Sequence, residues 1–330
     1  MSVRNIEREL ETLSALRKAE PGELRTRNLR KALHDKVNLI VARAAKVIGE
    51  LQLSEFVPDV CAAFDRLMID PVKSDPKCWG KEAIAKALKD LGNSDSTVFR
   101  KGLQHVQFEP VWGGEEDTAA NLRATCALAL LQCTDMTREE KLWCVMPLLT
   151  ERSPSLRKDG AIALESLEGR EAALLLRIKA RMGDEDSTVT GQVFESLLRV
   201  ENDAAVPFVV DFLRSPKPEV SSEAALALGA SRLPSAVSAL KETFGQKFLL
   251  LDYDVLCRAL GISRRQEAIE FLLDLVRHAR PREALLALDA LHLYRDSAEL
   301  RHRISEAVSK RTEPELQRAF KRLFEEPSPA

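Results

Sequence analysis

Apolar positions in this chain recur at helical spacing, and the pattern of helices itself recurs. From Pro218 the sequence reads PEVSSEAALALGASRLPSAVSALKETF. Val220, Ala224, Ala227 and Leu228 fall on one helical stripe. Gly229, Ser231 and Pro234 break it, and Ala236, Val237, Leu240 and Phe244 begin a second stripe. One such helix pair cannot bury its own apolar face, so it needs a copy on each side.

The chain supplies those copies. With Ala227 as anchor, the equivalent positions are Val47, Ala87, Ala129, Ala163, Ser196, Ala259 and Ala290. The residues that follow are Ile48, Leu88, Leu130, Leu164, Leu197, Leu228, Leu260 and Leu291. Two residues before the anchor stand Ala45, Ala85, Ala127, Ala161, Phe194, Ala225, Cys257 and Leu288. A small anchor lets a neighbouring helix approach, and the Leu beside it fills the groove between repeats. The register predicts an all-α fold, an α-solenoid of about eight helix pairs. Successive anchors lie 40, 42, 34, 33, 31, 32 and 31 residues apart. The two long intervals predict insertions near 69–75 (IDPVKSD) and at 109–117 (EPVWGGEED).

Residues 1–35 are expected to cap the array with two helices, 6–18 and 23–34, separated at Pro21-Gly22. The first carries Leu10, Leu13 and Leu16 on one side. The array runs over 36–314, and 315–330 closes it with a helix from Glu315 to Phe324 and a fraying PSPA tail. Asp75-Pro76 and Ser153-Pro154 each place a capping side chain before a helix-starting proline. Thr137-x-x-Glu140, Ser263-x-x-Gln266 and Thr312-x-x-Glu315 have the form of capping boxes. No segment alternates in the manner of a strand bounded by turns.

Composition changes this picture little. Apolar residues are 45% and charged residues 30%, enough for a core and a solvated surface. A net charge of −2 gives no overall case for nucleic acid. Residues 1–50 carry 11 basic and 7 acidic side chains, and residues 51–150 carry 11 and 15; both read as solvated faces. The start MSVRNIEREL lacks the apolar stretch of a secretory signal, and no run of about 18 apolar residues is present. The expected setting is cytoplasmic, without a membrane span. The six cysteines, none in a CxxC pair, fit that compartment as free thiols.

Unusual chemistry gathers in the first half. Trp79, Trp112 and Trp143 are the three tryptophans, and Trp112 stands beside Gly113-Gly114 in the second insertion. Insertions in repeat arrays project from one face, so Trp112 is expected either to fold back on the array or to meet a partner. His105 precedes that loop, with Glu109, Glu115, Glu116 and Asp117 nearby. Such a group is either an acid–base or metal site or a surface His beside an acidic turn in which Asp117 caps the next helix. Cys126, Cys133 and Cys257 fall on core positions, whereas Cys78 stands at a helix start that can stabilise a thiolate, with no base placed beside it. Lys81, Arg123 and Arg157 each lie six residues before an anchor. Stacked repeats would set them in a row, which either binds carboxylates or phosphates or forms ion pairs with residues such as Asp159 or Glu82. No Gly-rich phosphate loop, HExxH or GxSxG is present.

Leu156-Arg157…Ala161…Ala163-Leu164 and Val220…Ala224-Ala225…Ala227-Leu228-Gly229, with Leu122-Arg123, resemble HEAT repeats of the short type found in bacterial proteins and phycobilisome lyases. The resemblance spans roughly 36–312. It implies a right-handed superhelix of antiparallel helix pairs whose anchor-bearing helices line the concave face. The apolar–basic dipeptide is missing at Asp252-Tyr253 and Glu283-Ala284, so the resemblance implies no continuous basic ladder. The expected role is a non-catalytic scaffold or adaptor that binds a protein or peptide on the concave face. Trp79, Lys81, His105, Trp112, Arg123 and Arg157 are the candidate partner-binding residues, and no catalytic, cofactor or metal site is assigned. Two alternatives stand beside it: a nucleic-acid binder with the architecture of the HEAT-like DNA glycosylases, and a chromophore-handling lyase of the phycobilisome type.

Overall fold

The computed structural model describes residues 6–244 and 252–326. The expected PSPA tail lies outside them. The chain divides into two compact units, Met1–Ala163 and Leu164–Ala330.

In the first unit, α1 (Ile6–Ala15) and α2 (Glu23–Leu33) pack on α3 (Asn38–Glu50). Leu13 is buried, with Leu10 and Leu16 partly buried against the same cluster. Next come α4 (Val57–Leu67), the short α5 (Pro71–Ser74), α6 (Trp79–Asp90) and α7 (Thr97–Leu103). A hairpin follows, β1 (Phe108–Val111) with β2 (Gly114–Asp117), then α8 (Ala120–Leu130), α9 (Arg138–Val145) and α10 (Pro154–Leu167). The division between the units falls within α10. α3 packs on α6, and α6 packs on α8.

The second unit holds α11 (Gly169–Met182), α12 (Ser187–Glu201), α13 (Val206–Asp211), α14 (Pro218–Ser231) and α15 (Pro234–Phe244). It continues with α16 (Tyr253–Ile262), α17 (Gln266–His278), α18 (Pro281–Leu291), α19 (Ala298–Ser309) and α20 (Pro314–Phe320). The last helix then loosens into a π-helical turn, Lys321–Glu325. α12, α14, α16 and α18 stack in sequence order. This is an all-α helical repeat fold.

Every anchor is buried, from Val47 to Ala290, and each following Ile or Leu is fully buried. The reason for small residues is direct. Two residues past the anchor, a Cβ on Gly49 would stand 3.1 Å from the Ala87 Cα, and one on Gly261 would stand 3.0 Å from the Ala290 carbonyl oxygen. A Cβ on Gly229 would collide with the Ala259 carbonyl. At these three contacts the anchor helices therefore touch through their backbones. Where the anchor is Ser196, its hydroxyl donates to Glu165 at 3.0 Å, and Glu165 occupies the position that Gly49, Gly229 and Gly261 hold in their repeats. Five residues past the anchor the chain turns left-handed at Gln52, Gly92, Glu168, Arg232 and Arg264.

Three local expectations need correction. The insertion at 109–117 is a two-stranded antiparallel hairpin, with Glu109 opposite Glu116 and Val111 opposite Gly114. Ser263 closes α16 instead of opening α17: its hydroxyl donates to Leu260 O at 2.6 Å and accepts from Arg265 N at 3.3 Å. Thr312 is not an N-cap either. Glu313 holds that position before Pro314, and Arg311 engages its carboxylate at 2.7 Å. Thr137 and Glu140 do form the reciprocal capping box, and Pro154 does open α10. Among the described residues, no helix is long and apolar enough to cross a membrane.

Candidate functional site

Three segments of the first unit meet in a buried polar network. Asp75 does not cap the single 3-10 turn Pro76–Cys78 that follows it; it reaches forward to α6. Its carboxylate accepts from Gly80 N at 2.7 Å and Lys81 N at 2.9 Å. Asn38 of α3 donates to the same carboxylate at 2.8 Å. The Lys81 ammonium lies 3.1 Å from Asp75 Oδ2, and both side chains are fully buried. Lys81 also donates to Gln107 Oε1 at 3.0 Å. Because an ammonium only donates, the amide oxygen of Gln107 must face it. His105 Nε2, 3.0 Å from that oxygen, is therefore the ring nitrogen that carries the proton.

Gln107 passes the network to the hairpin. Its amide nitrogen donates to Asp75 O at 2.9 Å and to Glu109 Oε1 at 2.7 Å. Glu109 Oε1 also accepts from Lys77 N at 2.7 Å and Thr118 Oγ1 at 2.6 Å. Burial pushes the Glu109 carboxyl up, but these hydrogen bonds outweigh it and hold the group below the usual carboxylate range. Asp117 behaves alike: the Ala119 and Gln107 N–H groups and Arg123 outweigh its burial. It leads into α8 by accepting from Ala119 N at 3.1 Å. Arg123 bridges Asp117 at 2.7 Å and Glu151 at 3.0 Å. His105 is also lowered, because burial depresses its pKa more than the Gln107 bond raises it, and for an imidazole this favours the neutral form.

An isolated two-stranded hairpin is marginal in water. Here its base is pinned on both strands, by Glu109 on β1 and Asp117 on β2. The pinned hairpin presents apolar groups outward. Trp112 occupies the two-residue tip with Gly113 (φ +96°) and is 104% exposed. Phe108 and Val111 are exposed on the same hairpin, as is Val106 just before it. Pro110, Val111, Lys77, Glu109, Glu116 and Thr118 line a recess of about 240 Å³ beside it.

The expected site residues thus separate. Trp112 does not fold back. Trp79 is half-exposed, with Lys77 Nζ 5.3 Å above its ring. Lys81 and Arg157 are buried. The Arg157 guanidinium donates to the carbonyls of Glu151 and Arg152, each at 2.8 Å. Neither presents a charge at the surface. Arg123 is mostly covered and engaged with Asp117 and Glu151 rather than with Asp159 or Glu82. His105 lies at the edge of the network, half-buried. Cys78 is buried, and burial pushes its thiol up to about 12, so the helix start does not stabilise a thiolate there. The thiols are free; Cys126, Cys133 and Cys257 are buried. Among the described residues, no group of three or more His, Cys, Asp or Glu side chains is placed to hold a metal. Asp75 was read from the sequence only as a cap before Pro76, and Gln107 was not singled out; no spacing links residues 32 apart in a loop and a turn.

A helical repeat protein is the class this fold defines. A family model described as HEAT repeats matches residues 175–247, so this stretch carries HEAT repeats. Among solved structures, the chain is similar to the Escherichia coli protein YibA, at 17% identity and TM-score 0.48, covering 94% of this chain and 98% of that one. It is also similar to the CpcE–CpcF complex of phycocyanin lyase from Nostoc sp. PCC7120, at 19% identity and TM-score 0.36, covering 74% and 93%. Human deoxyhypusine hydroxylase is matched at 18% identity and TM-score 0.30, covering 81% and 92%. No curated protein matches the sequence.

Proposed function

We propose that this protein is a non-catalytic interaction scaffold, and that its protein or peptide partner buries Trp112. One observation carries the reading: a fully exposed tryptophan at the tip of a hairpin whose base is fixed by a buried polar network. A Trp side chain offers about 150–250 Å² of contact surface. Fixing that surface in advance lowers the ordering cost of binding. The network supports the hairpin instead of forming a reaction centre, since its donors and acceptors are engaged with one another. Glu115 and Glu116 beside the tip oppose a phosphate backbone, which favours a protein partner over nucleic acid. The resemblance to HEAT repeats points to the concave face, whereas the exposed aromatic lies on the inserted hairpin; the proposal places the contact on the hairpin.

The test places a photo-cross-linking amino acid at position 112 and, as a control, at exposed Arg138, in the organism's own cells. The expected result is one dominant adduct, identified by mass spectrometry, that forms from position 112 alone. Identical adducts from both positions, or none from 112, would overturn the proposal. Salt-sensitive retention on DNA–cellulose that survives Trp112→Ala would favour the nucleic-acid alternative instead.

A further inference from the structure

α11 carries an apolar stripe that nothing in its own unit covers. Ala172, Ala173, Leu176 and Ala180 bury one face of the helix. Leu174, Ile178 and Met182, spaced four apart on the opposite face, are 59%, 48% and 70% exposed. Three arginines follow one edge of this stripe. Arg170, Arg177 and Arg181 are separated by seven and then four residues, which returns each to the same side of the helix. The edge is built on an aromatic ledge from α13 and the turn after it. Phe208 and Phe212 pack with ring centroids 5.4 Å apart. The Arg177 guanidinium stacks 4.6 Å from the Phe208 centroid and pairs with Glu201. Arg181 stacks 4.7 Å from Phe208 and 5.1 Å from Phe212. Its carboxylate partner Asp211 is 3.5 Å away, and both side chains are largely exposed.

We infer that this face of α11 is a docking surface for an acidic amphipathic helix of a partner protein. Three apolar residues at one-turn spacing match the i, i+3, i+4, i+7 anchors of such a helix. Arg170 and the largely exposed Arg181 supply the complementary charge, Arg177 being engaged with Glu201, and Arg fits carboxylates in a planar two-point contact. Stacking on Phe208 and Phe212 holds two of the guanidinium planes in place before a ligand arrives. A membrane surface fits less well. The apolar stripe is one residue wide, lacks aromatics, and has Glu171 in the same row. The surface lies on the second unit and does not depend on the Trp112 hairpin.

The test uses the full chain and a fluorescein-labelled synthetic peptide with leucine at helical i, i+3, i+4, i+7 spacing and glutamate between. A matched peptide has lysine in place of every glutamate. Fluorescence anisotropy is expected to show saturable, salt-sensitive binding of the acidic peptide only. Ile178→Asp and the double variant Arg170→Glu/Arg181→Glu should each weaken it about tenfold or more, whereas Trp112→Ala should leave it unchanged. Ile178 is exposed, so its variant is expected to fold, which circular dichroism checks. Three results would overturn the inference. The first is equal binding of both peptides, or no saturable binding of the acidic one. The second is binding untouched by Ile178→Asp. The third is a different occupant that Ile178→Asp removes: phosphatidylserine vesicles in flotation, or a second copy of this chain in sedimentation.

Discussion

Lys81→Met removes a charge from the middle of the first unit while keeping most of the side-chain volume. The Lys81 ammonium and the Asp75 carboxylate, 3.1 Å apart, are both fully buried. Breaking a buried pair by removing one partner costs about 3–5 kcal/mol, because the other charge stays buried. The structure says which end of that range applies. In Lys81→Met, Asp75 keeps three donors, from Asn38, Gly80 N and Lys81 N, so the loss should lie near 3 kcal/mol. In Asp75→Asn, the ammonium keeps Gln107 Oε1 and a long contact of 3.5 Å to Leu67 O. One acceptor for the start of α6 is also lost, so the cost should lie near 5 kcal/mol. The double variant Asp75→Asn/Lys81→Met buries no charge and should lose only about 1–3 kcal/mol, less than Asp75→Asn alone.

The assay is urea unfolding followed by tryptophan fluorescence. All three tryptophans, Trp79, Trp112 and Trp143, lie in the first unit, so the signal reports that unit. Single losses under about 1 kcal/mol, or a double loss equal to the sum of the singles, would refute the claim that the pair is buried and coupled.

Gly229→Ala should destabilise the second unit by about 1–3 kcal/mol, despite the roughly 1 kcal/mol that alanine gains in a helix, because its Cβ meets the Ala259 carbonyl. Stabilisation in a denaturant titration followed by circular dichroism would contradict the close approach. Of the six cysteines, only half-buried Cys61 and Cys144 should react with an aromatic disulfide reagent at pH 8 in the native chain, with the remainder released on unfolding. Burial holds Cys78 and Cys257 up at about 12, and mass mapping of labelled sites checks the assignment. His105 has its pKa lowered in the folded chain, chiefly by burial, so the unfolded chain binds the proton first. Stability should therefore fall as pH drops below about 6.5 and level off below the folded pKa; His105→Asn should remove that part of the profile in paired unfolding curves.

The repeat was legible because an alanine column reflects a distance. Where two helix backbones touch, only small side chains fit, so Ala87, Ala227 and Ala259 reveal the contact by their identity. The hairpin was not legible for the opposite reason. Phe-Glu-Pro-Val and Gly-Glu-Glu-Asp are poor strand sequences, with a proline in one and three acids in the other. They pair because Glu109 and Asp117 are tied to Lys77, Gln107, Ala119 and Arg123, contacts that local propensity does not record. Lys81 shows the same limit. Its spacing matched Arg123 and Arg157 and suggested a row that either binds anions or forms ion pairs, but its burial depends on an aspartate and a glutamine from other segments. Trp112 was legible in part: a tryptophan followed by two glycines marks a loop by chemistry alone, but the sequence left open whether the ring folds back. In α11, apolar residues occur on nearly every side, so the pattern could not say which of them lacked a neighbour.

The repeat also extends beyond the Ala–Leu pair from which it was read. Ser231 donates to Leu228 O at 2.6 Å and accepts from Leu233 N at 3.3 Å. Ser263, one repeat later, makes the same two bonds to Leu260 O and from Arg265 N, at the same distances. Each serine immediately precedes an arginine held left-handed, at φ +57° and +52°. A non-glycine residue there costs about 1–2 kcal/mol. The serine offsets part of that cost by satisfying a carbonyl at the helix end and an N–H beyond the turn. Ser263 therefore belongs to the exit of one helix and not to the entry of the next, although its spacing to Gln266 imitates a capping box. The same logic accounts for Ser196. Where a glutamate replaces the glycine that other repeats use for close approach, the facing anchor becomes a serine that donates to it, and Arg199 balances the charge at 2.9 Å. Glu165 and Ser196 are thus a compensating pair, as expected if this column of the repeat is a physical contact between successive helices.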